Sequence, residues 1–428
     1  MARAMKDSGI PWIGEIPDKW KLVRGKFLFR ERIERGNKIS LQLLTPSQKY
    51  GVVPQELYDE LSGMKSVKLD ESTDYNTLKS VYEGDFVISL RSFQGGFEYS
   101  KYDGVVSPAY HVFYRTSEIH NEYYRYMFKN SAFIEKMATL TKTFRDGKSI
   151  AYTDFADSII PVPPIDEQQR IAAFIDTECA RIDAIIEKTR ASIEEYKKLK
   201  QAVITEAVTK GIRSGRKMKD SWIAWIGEIP EEWETYRIAN LYDERNESGN
   251  DSLPILSISI NTGISDREIP EEEQSRVFVR SEDKSKYIKV LPGDLAYNMM
   301  RAWQGAFGAV RVAGMVSPAY VVAKPKKADM LDSRYIEALL RTPMAIEEMH
   351  RYSKGITDFR LRLYWPEFKN IRICVPSIEE QEEIADYIDT RSGEYDALIE
   401  AKERVVDELE KYKKSVIYEY VTGKKEVL

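Results

Sequence analysis

The sequence predicts an α+β protein in which two related mixed α/β domains are separated by two long helices that form an antiparallel coiled coil. Two observations support this prediction. The first is an internal repeat, since the run WIGEIP at 12–17 returns at 225–230, 213 positions later. The second is a pair of long segments without proline, one near the end of each repeat. Twice 213 is 426 of the 428 residues, so one module of domain size is used twice, with a pseudo-two-fold relation between the copies.

The repeat continues through the middle and the end of each half. An Arg-x-x-Gln-Gly motif begins at Arg91 and again at Arg301, and Ser-Pro-Ala-Tyr follows at 107–110 and 317–320. These middle motifs are 210 positions apart. The run Glu-Gln-x-x-Ile-Ala then occurs at 167–172 and 380–385, again 213 apart. The two copies therefore share their element order and differ in their connecting loops.

The sequence pattern of each half predicts a globular part with strands and short helices, followed by a long helix. Apolar runs bounded by turn residues predict strands, and apolar residues at helical spacing predict short helices. The predicted strands are 84–90, 105–114 and 158–162 in the first half and 293–297, 315–323 and 370–375 in the second; the predicted short helices are 121–139 and 333–352.

The long helices are predicted at 166–209 and 379–422. Steps of three and four residues give each a heptad seam. The predicted seam residues are Ile182, Ile185, Thr189, Ser192, Tyr196, Leu199 and Val203 in the first helix and Tyr395, Leu398, Lys402, Val405, Leu409, Tyr412 and Val416 in the second. A helix of about 44 residues is about 66 Å long and needs a partner for its seam. We expect the two helices to pair with each other in antiparallel orientation; packing of each on its own domain is the alternative.

These elements divide the chain into a first domain at 1–162, a helix at 163–213, a second domain at 214–375 and a helix at 376–428. In an antiparallel pair the two domains would lie at opposite ends of the rod, each turned by 180° from the other. Duplex DNA has the same symmetry. Each domain could then recognise one half-site, with the rod setting the gap between the half-sites.

Composition limits the classes of function that the chain can have. The net charge of −5 gives mild evidence against nucleic-acid binding, although eight basic residues lie between Lys19 and Lys38. That basic run suits phosphates, or it is an amphipathic helix with a solvated face. Two cysteines cannot form a disulfide framework, so a reducing cytoplasm is expected, and no apolar run suggests a membrane span. Three histidines without ligand spacing make a metal site improbable.

Candidate DNA-binding residues lie in loops that follow predicted strands. Arginine can bind guanine and glutamine can bind adenine through two hydrogen bonds each. Groups that both halves share are nevertheless better suited to phosphate contacts or to holding the fold, because two domains with different targets need different base contacts. The late loops at 145–148 and 360–362 differ between the halves, as specificity residues would. The candidates are Arg91, Gln94, Lys101, Arg145, Lys148, Arg301, Gln304, Arg360 and Arg362.

Several further motifs have simpler interpretations. The tryptophans at 12, 20, 225 and 233 could stack on bases, but packing of a chain terminus onto a core is the more common role. Gly147-Lys148-Ser149 lacks the first glycine of a phosphate-binding loop. Ser-Pro-Ala-Tyr lacks the acceptor residue of the adenine methyltransferase loop that it superficially matches. No acid pair or histidine cluster recurs in both halves, so the sequence predicts no active site.

The chain resembles the specificity subunit of type I restriction-modification systems, the HsdS family. The resemblance covers the whole chain. It depends on the runs SGIPWIGEIP at 8–17, PPIDEQQRIA at 163–172, PSIEEQEEIA at 376–385 and EAVT at 206–209, together with the duplicated layout.

The resemblance implies a non-catalytic subunit with two target-recognition domains, each binding half of a split double-stranded DNA target. It also implies that two methyltransferase subunits dock on the helical regions and that restriction subunits with translocase activity join them. S-adenosylmethionine, ATP and magnesium would then belong to the partners. Residues expected near the methyltransferase contacts or at the helix starts are Glu167, Gln168, Ile171, Glu380, Gln381 and Ile384. A local role for these residues is equally consistent with the sequence, because carboxylates favour helix N-termini.

Two further classes of protein fit the same residues. An orphan DNA-binding or anti-restriction protein could use this fold without partner subunits. A coiled-coil scaffold that does not bind DNA is the second such class, and salt-dependent binding to DNA would distinguish it from both DNA-binding classes.

Overall fold

The computed structural model describes residues 3–66, 73–90, 97–140, 150–250, 252–260, 262–268, 286–355 and 361–427. The chain forms two compact units. Unit 1 comprises Met1–Arg190 with Arg404–Leu428, and unit 2 comprises Ala191–Glu403. Two long helices, α5 (Ile165–Lys210) and α10 (Ile378–Val421), each contribute one half to unit 1 and the other half to unit 2. The predicted long helices are thus confirmed to within one or two residues at each end.

Unit 1 contains small antiparallel sheets packed with short helices. Its largest described sheet has four strands in the order β4-β11-β8-β9, and two-stranded sheets pair β1 with β2, β3 with β12, β5 with β6 and β7 with β10. The strands are β1 (Met5–Asp7), β2 (Glu15–Pro17), β3 (Lys21–Arg24), β4 (Phe29–Arg32), β5 (Leu44–Ser47), β6 (Gly51–Pro54), β7 (Lys79–Val81), β8 (Phe86–Ile88), β9 (Glu98–Tyr99), β10 (Gly104–Val106), β11 (His111–Arg115) and β12 (Ile159–Val162), and the helices are α1 (Gln55–Ser62), α2 (Asn121–Met127), α3 (Ser131–Leu140) and α4 (Tyr152–Asp157).

Unit 2 repeats this arrangement. Its four-stranded sheet has the order β16-β23-β20-β21, and the two-stranded sheets pair β13 with β14, β15 with β24, β17 with β18 and β19 with β22. The strands are β13 (Met218–Asp220), β14 (Glu228–Pro230), β15 (Glu234–Arg237), β16 (Tyr242–Glu244), β17 (Ile258–Ser259), β18 (Gly263–Ile264), β19 (Ile288–Val290), β20 (Leu295–Asn298), β21 (Phe307–Ala309), β22 (Gly314–Val316), β23 (Tyr320–Pro325) and β24 (Arg372–Val375), and the helices are α6 (Ile238–Leu241), α7 (Ser333–Leu340), α8 (Pro343–Tyr352) and α9 (Trp365–Phe368). The predicted α+β class and the internal repeat are confirmed strand by strand.

A buried ion pair recurs at the same place in both four-stranded sheets. Arg32 Nε contacts Asp85 Oδ2 at 2.7 Å in unit 1, and Arg245 Nε contacts Asp294 Oδ2 at 2.8 Å in unit 2. Each carboxylate also accepts a backbone N–H from the preceding turn. Burial is the largest effect on the pKa of Asp85 and of Asp294 and raises both, while the arginine opposes the rise. Substitution of one partner should strongly destabilise the fold, because the other partner would remain as an uncompensated buried charge.

Two predicted elements in each half are divided in the structure. The strand predicted at 105–114 is two strands, β10 and β11, which belong to different sheets. The Ser-Pro-Ala-Tyr turn separates them, with Tyr110 N donating to Ser107 O at 3.1 Å. The helix predicted at 121–139 is likewise α2 and α3, because Asn130 caps the second helix through the N–H of Ala132 at 2.9 Å.

Unit 2 has the same two divisions. The turn at 317–320 separates β22 from β23, with Tyr320 N donating to Ser317 O at 2.9 Å. Pro343 begins α8 behind the side-chain cap of Thr342. The basic run at 19–38 is not a helix in the structure: it forms β3, a single 3-10 turn and β4.

Both long helices end at a glycine that packs against the start of a globular part. Gly423 has a φ of +72°, and a Cβ there would lie 2.4 Å from Pro17 and 3.0 Å from Trp20. Gly211 has a φ of +76° and would bring a Cβ within 3.3 Å of Trp233. Trp20 and Trp233 are fully buried, which confirms their structural interpretation. No helix among the described residues has an apolar stretch long enough to cross a bilayer.

The long helices pair in antiparallel orientation within each unit. In unit 1, Lys413 contacts Asp183 and Arg190 contacts Glu410, both at distances below 3 Å. In unit 2, Lys200 contacts Asp396 at 2.7 Å. As the residue number rises along α5, the number of its partner on α10 falls, so the predicted antiparallel pairing is confirmed in both units.

The heptad seam is shifted by one residue at every second predicted position. Ile182 and Ile186 of α5 form a buried cluster with Val406 of α10, and Leu409 packs against it. Ile193 and Ile399 are also buried. The predicted seam residues Ile185, Leu199, Leu398, Val405 and Tyr412 are instead 41–49% exposed. The prediction was wrong there because apolar residues occupy two adjacent positions of the heptad, and only contact with the partner helix shows which of them is buried.

The register gives a direct test in two neighbouring residues. Ile186→Ala should lower the free energy of unfolding by about 2–5 kcal/mol, because it removes a buried branched side chain. Ile185→Ala should change it by less than about 0.5 kcal/mol, because this side chain is half exposed. Urea unfolding of the full chain followed by circular dichroism measures both, and equal destabilisation by the two substitutions would contradict the register.

Candidate nucleic-acid interface

Three segments of unit 2 meet beyond the end of strand β20. The loop at 298–305 is joined to the Ser-Pro-Ala-Tyr turn by a hydrogen bond from Met299 N to Ala319 O at 3.2 Å. It is joined to the segment after α8 by a hydrogen bond from Leu363 N to Met299 O at 2.8 Å. We call this surface, formed by the described residues of 298–305, 317–320 and 354–363, the unit 2 loop site.

Predicted site residues project from two of these segments. Arg301 and Gln304 lie on the loop and are exposed, and Arg362 is exposed on the third segment. Backbone hydrogen bonds of 2.9 Å in both directions join Lys354 to Arg362, one on each side of the residues that are not described. The structure therefore brings together the backbone segments that carry Arg301, Gln304 and Arg362, and the exposed cationic and amide groups of these residues could bind phosphates or base edges.

The loop at 298–305 makes several contacts with itself and with α8. Residues 302–304 form a 3-10 turn that ends at Gly305 with a φ of +95°. The indole N–H of Trp303 donates to Met300 O at 3.0 Å, and its ring contacts the imidazole of His350 on α8 at 5.5 Å. A surface that recognises a fixed ligand benefits from such support, because the exposed side chains then start from a defined backbone.

Tyr320 is a member of this site that the sequence analysis missed. Asn298 and Tyr320 are direct cross-strand partners at the end of β20 and β23. The pKa of Tyr320 is raised by burial, while its hydrogen bond with the Asn298 side chain and the nearby charge of Arg301 act in the opposite direction. The recurrence of Ser-Pro-Ala-Tyr in both halves was the available signal, but pairing with Asn298 required the strand register.

Unit 1 has the same turn but less of the corresponding site within the described residues. The turn at 107–110 has the hydrogen bonds of its counterpart, including Ser107 Oγ accepting from Ala109 N at 3.3 Å as Ser317 Oγ does from Ala319 N. Lys101 is exposed just after β9. Because β8 and β9 are antiparallel and joined through 89–97, Lys101 lies at the other end of that strand pair. Four predicted residues of unit 1 and one of unit 2 lie outside the described residues: Arg91, Gln94, Arg145, Lys148 and Arg360.

The glutamines at the starts of the long helices form hydrogen bonds inside their own units. Gln168 accepts a hydrogen bond from His120 N and donates to Pro163 O, each at 2.8 Å. Gln381 accepts from Asp332 N at 2.9 Å and donates to Pro376 O at 3.0 Å. Both side chains are at most 1% exposed. The local role that the sequence left open is therefore present in both units.

The neighbours of these glutamines have internal contacts as well. Glu167 forms an ion pair with Arg3, and Glu380 forms one with Arg216. Ile171 and Ile384 are buried in the cores of their units. Partner binding by these six residues stays a prediction. No group of three or more acidic, histidine or cysteine side chains in the described parts of the chain is arranged to hold a metal ion.

Comparison with known proteins agrees with this architecture. Residues 17–195 match the family model of the type I restriction modification DNA specificity domain. The MjaVIII type I restriction enzyme specificity subunit of Methanocaldococcus jannaschii is 24% identical over 432 residues, covering 96% of this chain and 93% of the relative. The EcoBI specificity subunit of Escherichia coli is 26% identical over 258 residues, covering 55% of this chain and 52% of the relative.

Solved structures show the same fold. A chain from work on complex assembly and conformational transition of the type I R-M system has a TM-score of 0.67 at 17% identity, covering 96% of this chain and 99% of that chain. The HsdS subunit from Thermoanaerobacter tengcongensis has a TM-score of 0.51 at 16% identity, covering 96% and 98%.

The duplicated fold is that of the solved type I specificity structures, and the loop site of unit 2 is a candidate surface for contact with DNA. Its sequence relatives share one function, sequence specificity within a restriction enzyme. The chain is similar to the specificity subunits of type I restriction-modification systems over nearly its whole length, and residues 17–195 match their DNA specificity domain. DNA sequence recognition without catalysis is the role that follows.

The contribution of Arg301 can be separated by salt dependence. If Arg301 binds a phosphate, Arg301→Ala should weaken binding to all duplexes alike and lower the slope of log K against log salt by about 0.9. If it binds a base edge, the substitution should relax the preference at one base pair. Fluorescence anisotropy of labelled duplexes over a salt series measures both effects. Arg372, an exposed arginine on β24, is the control, and an equal loss in Arg372→Ala would contradict a specific role for Arg301.

Proposed function

We propose that this chain recognises a bipartite, non-palindromic DNA target, with one half-site bound by each unit. The observation that carries the proposal is the strand-by-strand repetition of one fold in units that differ in their surface loops. A shared fold supports the same mode of docking on DNA, and different loops support different base sequences. The domains at 1–162 and 214–375 are the expected recognition domains, with the helices at 163–213 and 376–428 between and after them.

Shared and unshared loop residues have different expected roles. Arg91, Gln94, Arg301 and Gln304 occur in both units and are proposed to position the duplex through its backbone. Residues in the late loops differ between the units and are proposed to read bases, namely Arg145 and Lys148 in unit 1 and Arg360 and Arg362 in unit 2. Lys101 is a further candidate phosphate contact.

The experiment that tests the function is a map of modified bases. Co-expression of this chain with a type I methyltransferase subunit from the same genome, followed by single-molecule sequencing of host DNA, should show methylated adenines in a split motif with a fixed unspecified gap. Absence of new methylation with a folded and expressed methyltransferase would favour an orphan DNA-binding protein, and absence of salt-dependent DNA binding would favour a scaffold.

The gap between the half-sites is proposed to depend on the length of the helix pair. Inserting one heptad after Thr189 in α5 and one after Lys402 in α10 keeps the seam in phase and lengthens each helix by about 10 Å. This length corresponds to about three base pairs at 3.4 Å each. Methylation mapping should therefore show both half-sites unchanged and a longer gap. A changed half-site with the original gap would refute the role of the helices as a spacer.

Partner subunits are proposed to dock on the face of the helix pair that carries exposed apolar residues. In unit 1, Arg190 and Glu410 face each other on one side of the seam. In the heptad this places Ile185 and Tyr412 beside each other on the opposite side, where both are exposed. Leu199 and Leu398 occupy the equivalent positions in unit 2 and are 49% and 45% exposed. One side of the pair is thus ionic in unit 1, and the other side is apolar in both units.

Two methyltransferase subunits are the proposed occupants of this apolar face, one for each repeat of it. Restriction subunits with translocase activity join the complex through them. Cofactors for methyl transfer and DNA cleavage, which are S-adenosylmethionine, ATP and magnesium, are expected on those partners. We place the complex in the cytoplasm, where the buried free thiols of Cys179 and Cys374 would remain reduced.

Docking on this face can be tested with paired substitutions. Ile185→Asn together with Leu398→Asn should weaken binding of the methyltransferase subunit, because both repeats of the apolar face become polar. The unfolding midpoint should change little, since both side chains are half exposed. Arg190→Gln on the ionic side is the control. Titration calorimetry measures the affinity, and unchanged affinity in the double variant would place the partner elsewhere.

A further inference from the structure

The two units differ where the end of a long helix meets its globular part. In unit 1 this place is filled by side chains of α10. Tyr420 covers Phe174 with ring centroids 4.4 Å apart, and the hydroxyl of Tyr418 donates to Trp12 O at 3.3 Å. The last turns of α10 therefore close the surface of unit 1 with aromatic rings.

Unit 2 has small side chains at the equivalent positions. Ala207 stands where α10 has Tyr420, and Thr205 stands where it has Tyr418, each 213 positions earlier. Tyr387 is the counterpart of Phe174 and is 36% exposed, whereas Phe174 is half-buried. A hollow of about 390 Å³ lies at this place, with Val203, Ala207 and Tyr387 in its lining. Helix α5 has no aromatic rings at these two positions, and the hollow occupies the space that the rings fill in unit 1.

The hairpin β13–β14 forms another part of the lining through Met218 and Glu228. The same hairpin presents Trp222, which is 84% exposed and has a φ of +57°. This left-handed conformation is unfavourable for a bulky L-residue. The equivalent residue of unit 1 is Gly9, with a φ of +64°. Trp222 therefore has an unfavourable backbone conformation, and burial of its side chain does not compensate for the cost. Strained and exposed aromatic residues of this kind are typical of ligand contacts.

We propose that the hollow of unit 2 receives an aromatic side chain of a protein partner, in the place that Tyr420 fills from within the chain in unit 1. The repeat indicates the occupant, because the equivalent site in unit 1 holds the aromatic ring of Tyr420 against Phe174. The charges around the hollow favour a protein over DNA. Arg213 and Arg216 are paired with Glu383 and Glu380. Lys210 also lines the hollow, but Glu206 and Glu228 line it as well, so acidic groups balance the basic ones and phosphates gain little.

Trp222 lies between β13 and β14, outside the lining of the hollow, and is the second apolar contact that we propose for the incoming segment. Trp is enriched among residues that dominate protein interfaces, and such residues cluster around pockets that exclude water. The partner is the methyltransferase subunit, an assignment that rests on the proposed function. Because Tyr420 and Tyr418 occupy the equivalent place in unit 1, this contact would be made at unit 2 only.

The hollow can be tested without any partner. p-Cresol, the side-chain analogue of tyrosine, should cause a saturable shift of the Met218 methyl resonance in the full chain labelled with ¹³C at the methionine methyl groups. Ala207→Tyr introduces the residue of unit 1 and should abolish the shift while the melting temperature is kept or raised. Ala202→Tyr places the same side chain on an exposed position of α5 outside the lining and should leave the shift intact. No saturable shift in the native chain, or an equal shift in Ala207→Tyr, would overturn the proposal.

The partner is tested with the same variants. Of the two methyltransferase copies proposed to bind, one should lose affinity at least ten-fold in Ala207→Tyr, and neither should lose affinity in Ala202→Tyr. Equal affinity in both variants would exclude the methyltransferase as the occupant and overturn the assignment. If the native chain does not bind the subunit at all, the proposed function fails in this respect, and the p-cresol titration alone decides whether the hollow accepts an aromatic ring.

Discussion

The structure depends on an exchange of helix ends between the two halves of the sequence. Tyr123 of unit 1 donates its hydroxyl to Val421 O at the end of α10, and Tyr335 of unit 2 donates to Val208 O at the end of α5. Both tyrosines and both valines are fully buried. Each core is therefore completed by a long helix that follows the other globular part in sequence. A helix of this length is stable only through such packing, so neither unit can be understood from one contiguous half of the chain.

The repeat separates what holds the fold from what serves recognition. Groups at equivalent positions with the same contacts are internal: the arginine–aspartate pairs, the bracing glutamines, the tryptophans under the helix ends and the Ser-Pro-Ala-Tyr turns. Two copies of one module must keep these contacts, because their loss leaves buried charges or polar groups unpaired. Surface loops have no such constraint, so the differences between the units collect there. Each residue can thus be compared with its counterpart in the other unit, which separates residues that hold the fold from residues that are free to differ.

Elements with strong periodic signals could be predicted from the sequence, and elements ended by local hydrogen bonds could not. Both long helices were placed to within two residues because proline and helical spacing define them. The strand at 105–114 was wrong because a serine hydroxyl and Pro108 stop it at a turn that propensity does not distinguish from an extended segment. Arg301 and Gln304 could be proposed from a motif, whereas their neighbours Asn298 and Tyr320 are brought together by strand register, which depends on tertiary packing.

The helix pair shows why a heptad pattern alone does not fix an interface. Apolar residues stand at adjacent positions such as Ile185 and Ile186, or Val405 and Val406, and the partner helix can bury only one of each. A chain that needed only its own coiled coil would place polar groups at the remaining position, as it does on the side of Arg190 and Glu410. Apolar residues are kept instead at equivalent positions of both long helices. The proposed docking of two partner subunits depends on these exposed apolar residues, which occur on both long helices at an interval of 213 residues, because exposed apolar patches are typical of protein contacts.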